Sequence, residues 1–224
     1  MPSDERAWLT TRLAEEREAK AHVEHVTIWQ ALRQPPVIML TAGLFFCYSG
    51  GYAFWFRMPA MLQRLTGWTD VHRIGWIGAI PFVIGLIGML LLGWNSDRTR
   101  ERGWHFAIPQ LIAALALVAW LIAPHSNALL FVVFVLIGFG TTAHLPSFWA
   151  LPSSFLTSSA AAAAVGFINC TASIGGFVGP KIFGDLSQRT GSFNAGFVFM
   201  IGCWVIASAL VLWCPREKAG GISA

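Results

Sequence analysis

Five polar or aromatic side chains interrupt long apolar runs of this sequence, and each needs a hydrogen-bonding partner. Asn169 and Ser173 are four residues apart, so they share one face of a helix. Tyr48 offers a hydroxyl suited to a carboxylate, and His144 and Trp149 flank a proline that frees backbone carbonyls. Amide, hydroxyl, imidazole and indole groups together can hold a small polar ligand. These five residues are the candidates for a binding site.

Each candidate also has a purely structural interpretation. Asn169 can form a hydrogen bond between helices, and Trp149 can lie at a membrane interface. A lone histidine such as His144 often serves packing and hydrogen bonding. Tyr48 and Tyr52 can pack within a core, an interpretation that we favour slightly for Tyr52. Both interpretations stay open at this level.

A second set of candidates forms the charged turn GWNSDRTRERGW, residues 93–104. Gly93 allows neighbouring helices to approach closely, and Asp97 and Arg98 can cap helix ends and form ion pairs across the turn. Arg102 adds a further cation. We favour a gating loop whose contacts hold one conformation and release in another. The alternative is a charged turn that only orients the chain in a membrane.

Composition indicates that the elements carrying these residues lie in a lipid bilayer. Only 12% of the 224 residues are charged, against about 25% in soluble domains, and the mean hydropathy is +0.60. Six apolar runs have about the length that crosses a hydrocarbon core as a helix. They cover residues 37–56, 74–94, 105–123, 128–150, 160–180 and 195–213. The sequence therefore predicts an all-α integral membrane protein with six transmembrane helices.

The distribution of charge predicts the domains and the orientation. We expect a cytoplasmic amphipathic linker helix over residues 1–35, which hold 11 of the charged residues, a membrane domain over 36–214 and a cytoplasmic tail over 215–224. Alternate loops, counted from the N terminus, contain ten Lys and Arg residues, and the opposite set contains five. By the positive-inside rule both termini are expected in the cytoplasm, and the membrane is expected to be the plasma membrane, in a bacterium the inner one. The charged first 20 residues do not resemble a cleavable signal peptide.

An internal repeat relates the two parts of the membrane domain. Residues 75–99 align without a gap on residues 166–190 with eight identities, and both copies end in the pattern SxRT. The copies occupy the second and fifth runs, which cross the membrane in opposite directions. The sequence therefore predicts two three-helix units related by inversion, an arrangement typical of secondary transporters.

The remaining residues argue against several other functions. His22 and His25 lack a third ligand nearby, so we predict no metal site. The spans contain no paired carboxylates and no nucleophile motif, so we predict neither an enzyme nor a cofactor. The basic residues form no continuous stripe, and we therefore predict no nucleic-acid partner.

Three segments carry a family resemblance: DERAWLTTRLAEEREAK, WNSDRTRERGWH and LPSSFLTSSAAAAAVGFINCTASIGGFVGP. They resemble the C-terminal half of major facilitator superfamily permeases, most closely those of the anion:cation symporter family, which includes tartrate-like, phthalate-like and hydroxyphenylacetate-like permeases. The resemblance covers nearly the whole chain. It implies twelve helices in two six-helix halves, with a small organic anion crossing between them, usually together with protons.

The resemblance also implies roles and partners. It favours substrate contact for Asn169, because the fifth span of this half lines the pathway in such permeases. The chain begins within what resembles the linker between the halves, so we expect it to work with a separate N-terminal six-helix half or with another copy. The expected partners are thus lipid, a small organic anion and that second half. The alternative is a truncated membrane fragment, or a subunit that is active only with a separate N-terminal half.

Overall fold

The computed structural model describes residues 30, 32–154, 156 and 158–214, which form a bundle of helices. The helices are α1 (Pro35–Thr66), α2 (Val71–Thr99), α3 (Arg102–Ile122), α4 (Asn127–Ala143), α5 (Leu145–Trp149), α6 (Ser158–Thr190) and α7 (Asn194–Trp213), with a 3₁₀ turn at Pro152–Ser154. In these residues, six segments are long and apolar enough to cross a membrane, the fourth comprising α4, α5 and the 3₁₀ turn. The predicted fold class is confirmed. Most of the predicted linker helix and the tail at 215–224 lie outside the described residues.

Local signals begin and end the helices beyond the apolar runs. Pro35 lies in the first turn of α1, where its missing N–H has no helical partner to lose. The side chains of Asp70 and Ser126 accept hydrogen bonds from backbone N–H groups in the first turns of α2 and α4. Gly67, with φ 73°, ends α1. The helix therefore extends past the predicted run 37–56, because hydrogen bonding continues through charged residues up to the cap.

The fourth span is not a single continuous helix. α4 ends at Ala143, and α5 begins at Leu145 with Pro146 as its second residue. Proline has no N–H and its ring clashes with the preceding turn, so it interrupts the helix at this point. Pro152 begins the 3₁₀ turn that follows. His144 lies between α4 and α5, so the interruption of the helix at this point sets the direction of its side chain.

The packing of the spans follows the predicted inverted repeat. α1 lies against α6 and α7, whereas α4 lies against α2 and α3. The repeat makes α1 equivalent to α4, α2 to α6 and α3 to α7. Under this exchange the contacts of α1 with α6 and α7 become those of α4 with α2 and α3, and the contact between α3 and α7 is unchanged. The order of the helices in space is therefore the order that two inverted three-helix units produce.

Matched glycines of the repeat lie where these helices cross. A Cβ atom at Gly179 of α6 would overlap the backbone of Ser49 in α1. A Cβ atom at the equivalent Gly88 of α2 would approach the Cβ of Ala143 in α4 to 3.0 Å. Small residues thus allow close approach of both pairs.

Burial is unequal among the spans. Only 28% of the apolar window of α2 is buried, and the same value holds for α6, against 61% for α1. These two helices are equivalent in the repeat, so the described bundle leaves two related faces open. The bundle has two ends, which we name by a residue of each. Residues 35, 97–102 and 150–154 lie at the Asp97 end, and residues 66–71, 123–127 and 190–194 lie at the Gly191 end.

Candidate functional site

A cavity of about 370 Å³ lies where α1 faces α2 and α4. Its wall is largely apolar and aromatic, with a thiol and a few hydroxyl groups, from Cys47, Tyr48, Gly51, Tyr52, Trp55, Phe56, Phe82, Thr141 and Leu145. A mostly apolar cavity with few polar groups is typical of a site for a small molecule. α1 contributes most of the wall because residues four apart on a helix point in the same direction.

The aromatic side chains of α1 form a stack that we name the aromatic ladder, made of Tyr48, Tyr52 and Phe56. The ring centroids of Tyr48 and Tyr52 are 5.4 Å apart at 65°, and those of Tyr52 and Phe56 are 5.8 Å apart at 27°. Tyr52 is 40% exposed, which argues against the core-packing interpretation for this ring. Within the described part of the chain neither tyrosine hydroxyl has a hydrogen-bond partner. Both hydroxyls are therefore available to a ligand.

A second depression, the α1–α6 groove, continues from the cavity along the ladder. It measures about 510 Å³ and is lined by Tyr52, Phe56, Arg57, Ser173, Gly176, Phe177, Pro180 and Lys181. Tyr52 and Phe56 line both the cavity and the groove, so the two form one surface. The predicted residues Tyr48 and Ser173 are thereby connected by the ladder.

Asn169 lies next to this surface, one helical turn before Ser173 on α6. The Ser173 hydroxyl donates to the backbone carbonyl of Asn169 at 2.8 Å, and both side chains are exposed. Within the described residues the Asn169 amide forms no hydrogen bond to another helix. The interhelical interpretation therefore gains no support from this bundle, and substrate contact by Asn169 stays a prediction.

His144 lies in the core behind the cavity wall and is 0% exposed. Its Nε2 atom is 3.3 Å from the sulfur of Cys47, and its Nδ1 atom is 3.1 Å from the amide nitrogen of Gln110. Cys47 separates the imidazole from the cavity. This geometry favours the packing and hydrogen-bonding interpretation over direct contact with a ligand.

Trp149 is half-buried at the end of α5. Its ring lies edge-on to Phe148, with centroids 5.3 Å apart, and packs against the apolar cluster at the Asp97 end. Tyr48 of the aromatic ladder packs against the same cluster, but Trp149 lines neither the cavity nor the α1–α6 groove. The interfacial interpretation fits this position.

The predicted gating loop occupies the Asp97 end. Gly93 faces Pro146, so a Cβ there would lie 3.2 Å from the proline ring. Arg102 donates a hydrogen bond to the Ala150 carbonyl, which joins the start of α3 to the fourth span. The guanidinium carbon of Arg98 lies 5.7 Å from the ring centroid of Trp94, one helical turn earlier.

Asp97 itself is exposed, and no cation of the described residues lies within ion-pair distance of it. The predicted ion pair across the turn is therefore not formed in this conformation. The loop is held by Gly93 and Arg102, whose contacts join α2 and α3 to the region around α5.

Sequence reasoning missed three members of this region. Arg57 and Lys181 directly follow the apolar runs 37–56 and 160–180, as charges at span ends do, yet both lie within continuous helices and line the groove. Gln110 is a single amide within the apolar run 105–123, yet it is fully buried and its side-chain nitrogen forms hydrogen bonds with both Cys47 and His144. Helical spacing gave no signal for Arg57, because it lies five residues after Tyr52, about 140° around the helix.

The chain matches known proteins over most of its length. The sequence profile of the Major Facilitator Superfamily matches residues 6–180. A protein of Agrobacterium vitis named "Putative tartrate transporter" is 32% identical, and the alignment covers 100% of this chain and 51% of that protein. A "Quinolone resistance transporter" of Acinetobacter baumannii is 29% identical over 88% of this chain and 45% of its own length. The chain thus spans about half the length of the curated relatives it matches.

The fold also matches a solved structure. A bacterial homolog of the human lysosomal transporter Spinster, in an inward-facing and unoccupied conformation, superimposes with a TM-score of 0.63. The identity is 19%, and the match covers 88% of this chain and 53% of the other. At this identity the likeness concerns the fold alone.

Proposed function

This chain belongs to the major facilitator superfamily, and from that premise we propose that it forms the C-terminal half of a transporter for a small organic anion. The substrate class is a carboxylate, either tartrate-like or an aromatic acid. Movement occurs by alternating access, in which the site opens to one side of the membrane at a time. Coupling to protons belongs to the same proposal and rests on the family resemblance.

The observation that carries this proposal is the surface along the aromatic ladder. Two tyrosine hydroxyls without described partners lie in a mostly apolar cavity, which continues into a groove that contains cations. Hydroxyl donors orient a carboxylate, while the rings of the ladder cover an apolar or aromatic body. Ser173 and Asn169 extend the same polar surface along α6.

The second half is supported by the open faces of α2 and α6. Both helices expose large apolar side chains, among them Trp76, Leu90 and Phe177. A separate N-terminal six-helix half, or another copy of the chain, would cover part of these faces and lipid the rest. The length of the relatives, about twice that of this chain, favours a six-helix partner.

Orientation and gating complete the proposal. The excess of Lys and Arg in alternate loops supports a cytoplasmic Asp97 end and cytoplasmic termini, in a bacterial inner membrane. Gly93 and Arg102 then hold the cytoplasmic gate in this conformation, with Asp97 and Arg98 free to form other pairs as the gate moves. The domain limits at residues 35 and 214 remain part of this prediction.

Counterflow in vesicles tests the function. Vesicles loaded with unlabelled tartrate, phthalate or hydroxyphenylacetate should accumulate the labelled compound when the chain is reconstituted with a candidate N-terminal half. Vesicles that contain this chain without the N-terminal half are the matched control. Accumulation by neither preparation would contradict the transporter proposal and favour the alternative of a non-transporting fragment.

A further inference from the structure

We propose that Arg57 forms the carboxylate anchor of the substrate site, at the part of the α1–α6 groove nearest the Gly191 end, with Lys181, Tyr52 and Ser173 around it. This inference rests on the proposed function and makes it more specific. It assigns the charged group of the substrate to a defined place and the apolar body to the aromatic ladder.

Arg57 lies well inside the bundle. It precedes the end of α1 at Thr66 by nine residues, which is about 13 Å along the helix axis. Its side chain is half-buried and crosses to α6, where the guanidinium lies against Gly184. A Cβ atom at Gly184 would overlap the guanidinium, so the glycine provides the space that the cation occupies.

Three other cations near this end have partners of their own. Arg64 donates to the Gly191 carbonyl and lies over a phenylalanine ring, and Arg73 stacks on Trp68 at 4.0 Å. Lys181 is 3.3 Å from Asp185, with both side chains more than half exposed. Arg57 differs from them because, within the described residues, its guanidinium has no hydrogen bond, no aromatic ring beneath it and no acidic group within ion-pair distance. An unpaired cation within a membrane span is costly and is therefore expected to serve a ligand.

The chemistry around Arg57 defines the ligand class. A guanidinium offers paired N–H donors in a plane, which match the two oxygens of a carboxylate. Tyr52 and Phe56, which line the groove beside it, present aromatic surface to the rest of the ligand. Ser173 and Lys181 add a hydroxyl and a second cation from α6. The combination suits a compact dicarboxylate, with aromatic bodies favoured.

The test is binding of radiolabelled phthalate to the purified full-length chain in lipid nanodiscs, with and without a candidate N-terminal half. Dimethyl phthalate, which has the same ring and no charge, serves as the competitor that lacks the carboxylates. We expect phthalate to bind and dimethyl phthalate to compete poorly. If neither preparation binds phthalate, tartrate or hydroxyphenylacetate, the proposed function fails together with the anchor.

Substitution of the cation separates the anchor from the wider site. Arg57→Gln should weaken phthalate binding by about tenfold or more, as expected for the loss of a hydrogen bond to a charged group, and Arg57→Lys should retain part of it. Arg189→Gln removes the same charge from an exposed position on α6 and should bind as the wild type does. Unchanged binding in Arg57→Gln, together with weaker binding in Tyr48→Phe, would overturn the anchor and leave the proposed function standing.

A variant that keeps the charge tests its position. Gly184→Ala should displace the guanidinium, because the far end of a flexible side chain moves more readily than a helix. We expect phthalate affinity to fall several-fold. The control is Gly202→Ala, where nothing lies within 4 Å of the added atom. Wild-type affinity in Gly184→Ala would overturn the assignment of the anchor to this position.

Discussion

Replacing Gly179 by alanine should force α1 and α6 apart. A Cβ atom there would lie 2.6 Å from the carbonyl carbon of Ser49 and 2.7 Å from its Cα atom. Backbone atoms cannot rotate away as the end of a side chain can, so the helices have to separate by roughly 1 Å to reach ordinary van der Waals distance.

The size of the effect follows from a comparison within the same helix. Overfilling a packed contact destabilises a protein by about 1–3 kcal/mol, whereas alanine in place of a helical glycine stabilises it by about 0.5–1 kcal/mol. Gly166→Ala has nothing within 4 Å of the added atom, so it receives only the stabilising contribution. Both variants gain this stabilisation from alanine in a helix, so the difference between them reflects only the overfilled contact at Gly179. Gly179→Ala should therefore unfold about 2–12 °C below Gly166→Ala, using the shift per kcal/mol for a protein of this size.

Thermal unfolding of the purified variants in one detergent, followed by tryptophan fluorescence, measures this difference. The wild type should unfold slightly below Gly166→Ala. The reasoning about the crossing of α1 and α6 is refuted if Gly179→Ala unfolds at or above the temperature of Gly166→Ala.

Three further variants test other parts of the structure. Tyr48→Phe removes a hydroxyl from the cavity and should weaken phthalate binding about two- to tenfold, the range for one neutral hydrogen bond, whereas unchanged affinity would remove Tyr48 from the site. Asp97→Asn should change the rate of counterflow more than the amount of protein in the membrane, and a fall in expression alone would argue against the gating role. Gln110→Leu leaves Cys47 and His144 without their amide partner, so it should lower the free energy of unfolding by about 1–3 kcal/mol, and a variant as stable as the wild type in chemical denaturation would show that this buried network contributes little.

The fold was accessible from the sequence because its signals are local. Apolar runs of membrane length predicted six spans, and the glycine pattern shared by residues 75–99 and 166–190 predicted the inverted repeat. Both rest on physical requirements that act along a single helix: a hydrocarbon core excludes charge, and a close crossing requires small side chains. The ends of the helices were harder to predict from the sequence. An apolar run ends at its first charged residue, whereas the helix continues until a capping residue ends it.

The site was only partly accessible, because it depends on which faces of different helices meet. Tyr48 and Ser173 were predicted, and the structure connects their surroundings through Tyr52 and Phe56. His144 has the same polar character in the sequence, but the break in the fourth span turns it into the core, where Cys47 lies between it and the cavity. No periodicity along one helix distinguishes these two outcomes.

The sequence by itself determined that this chain is a six-span membrane protein of inverted repeats, since hydropathy and glycine spacing are properties of each segment alone. The tertiary structure decided where the charged and polar residues lie and what they contact. Arg57 reads as the charge that ends an apolar run, yet the packing of α6 on α1 places Gly184 against its guanidinium and directs it into a groove beside two aromatic rings. That position arises from contact between residues more than a hundred positions apart, and only the folded bundle brings them together.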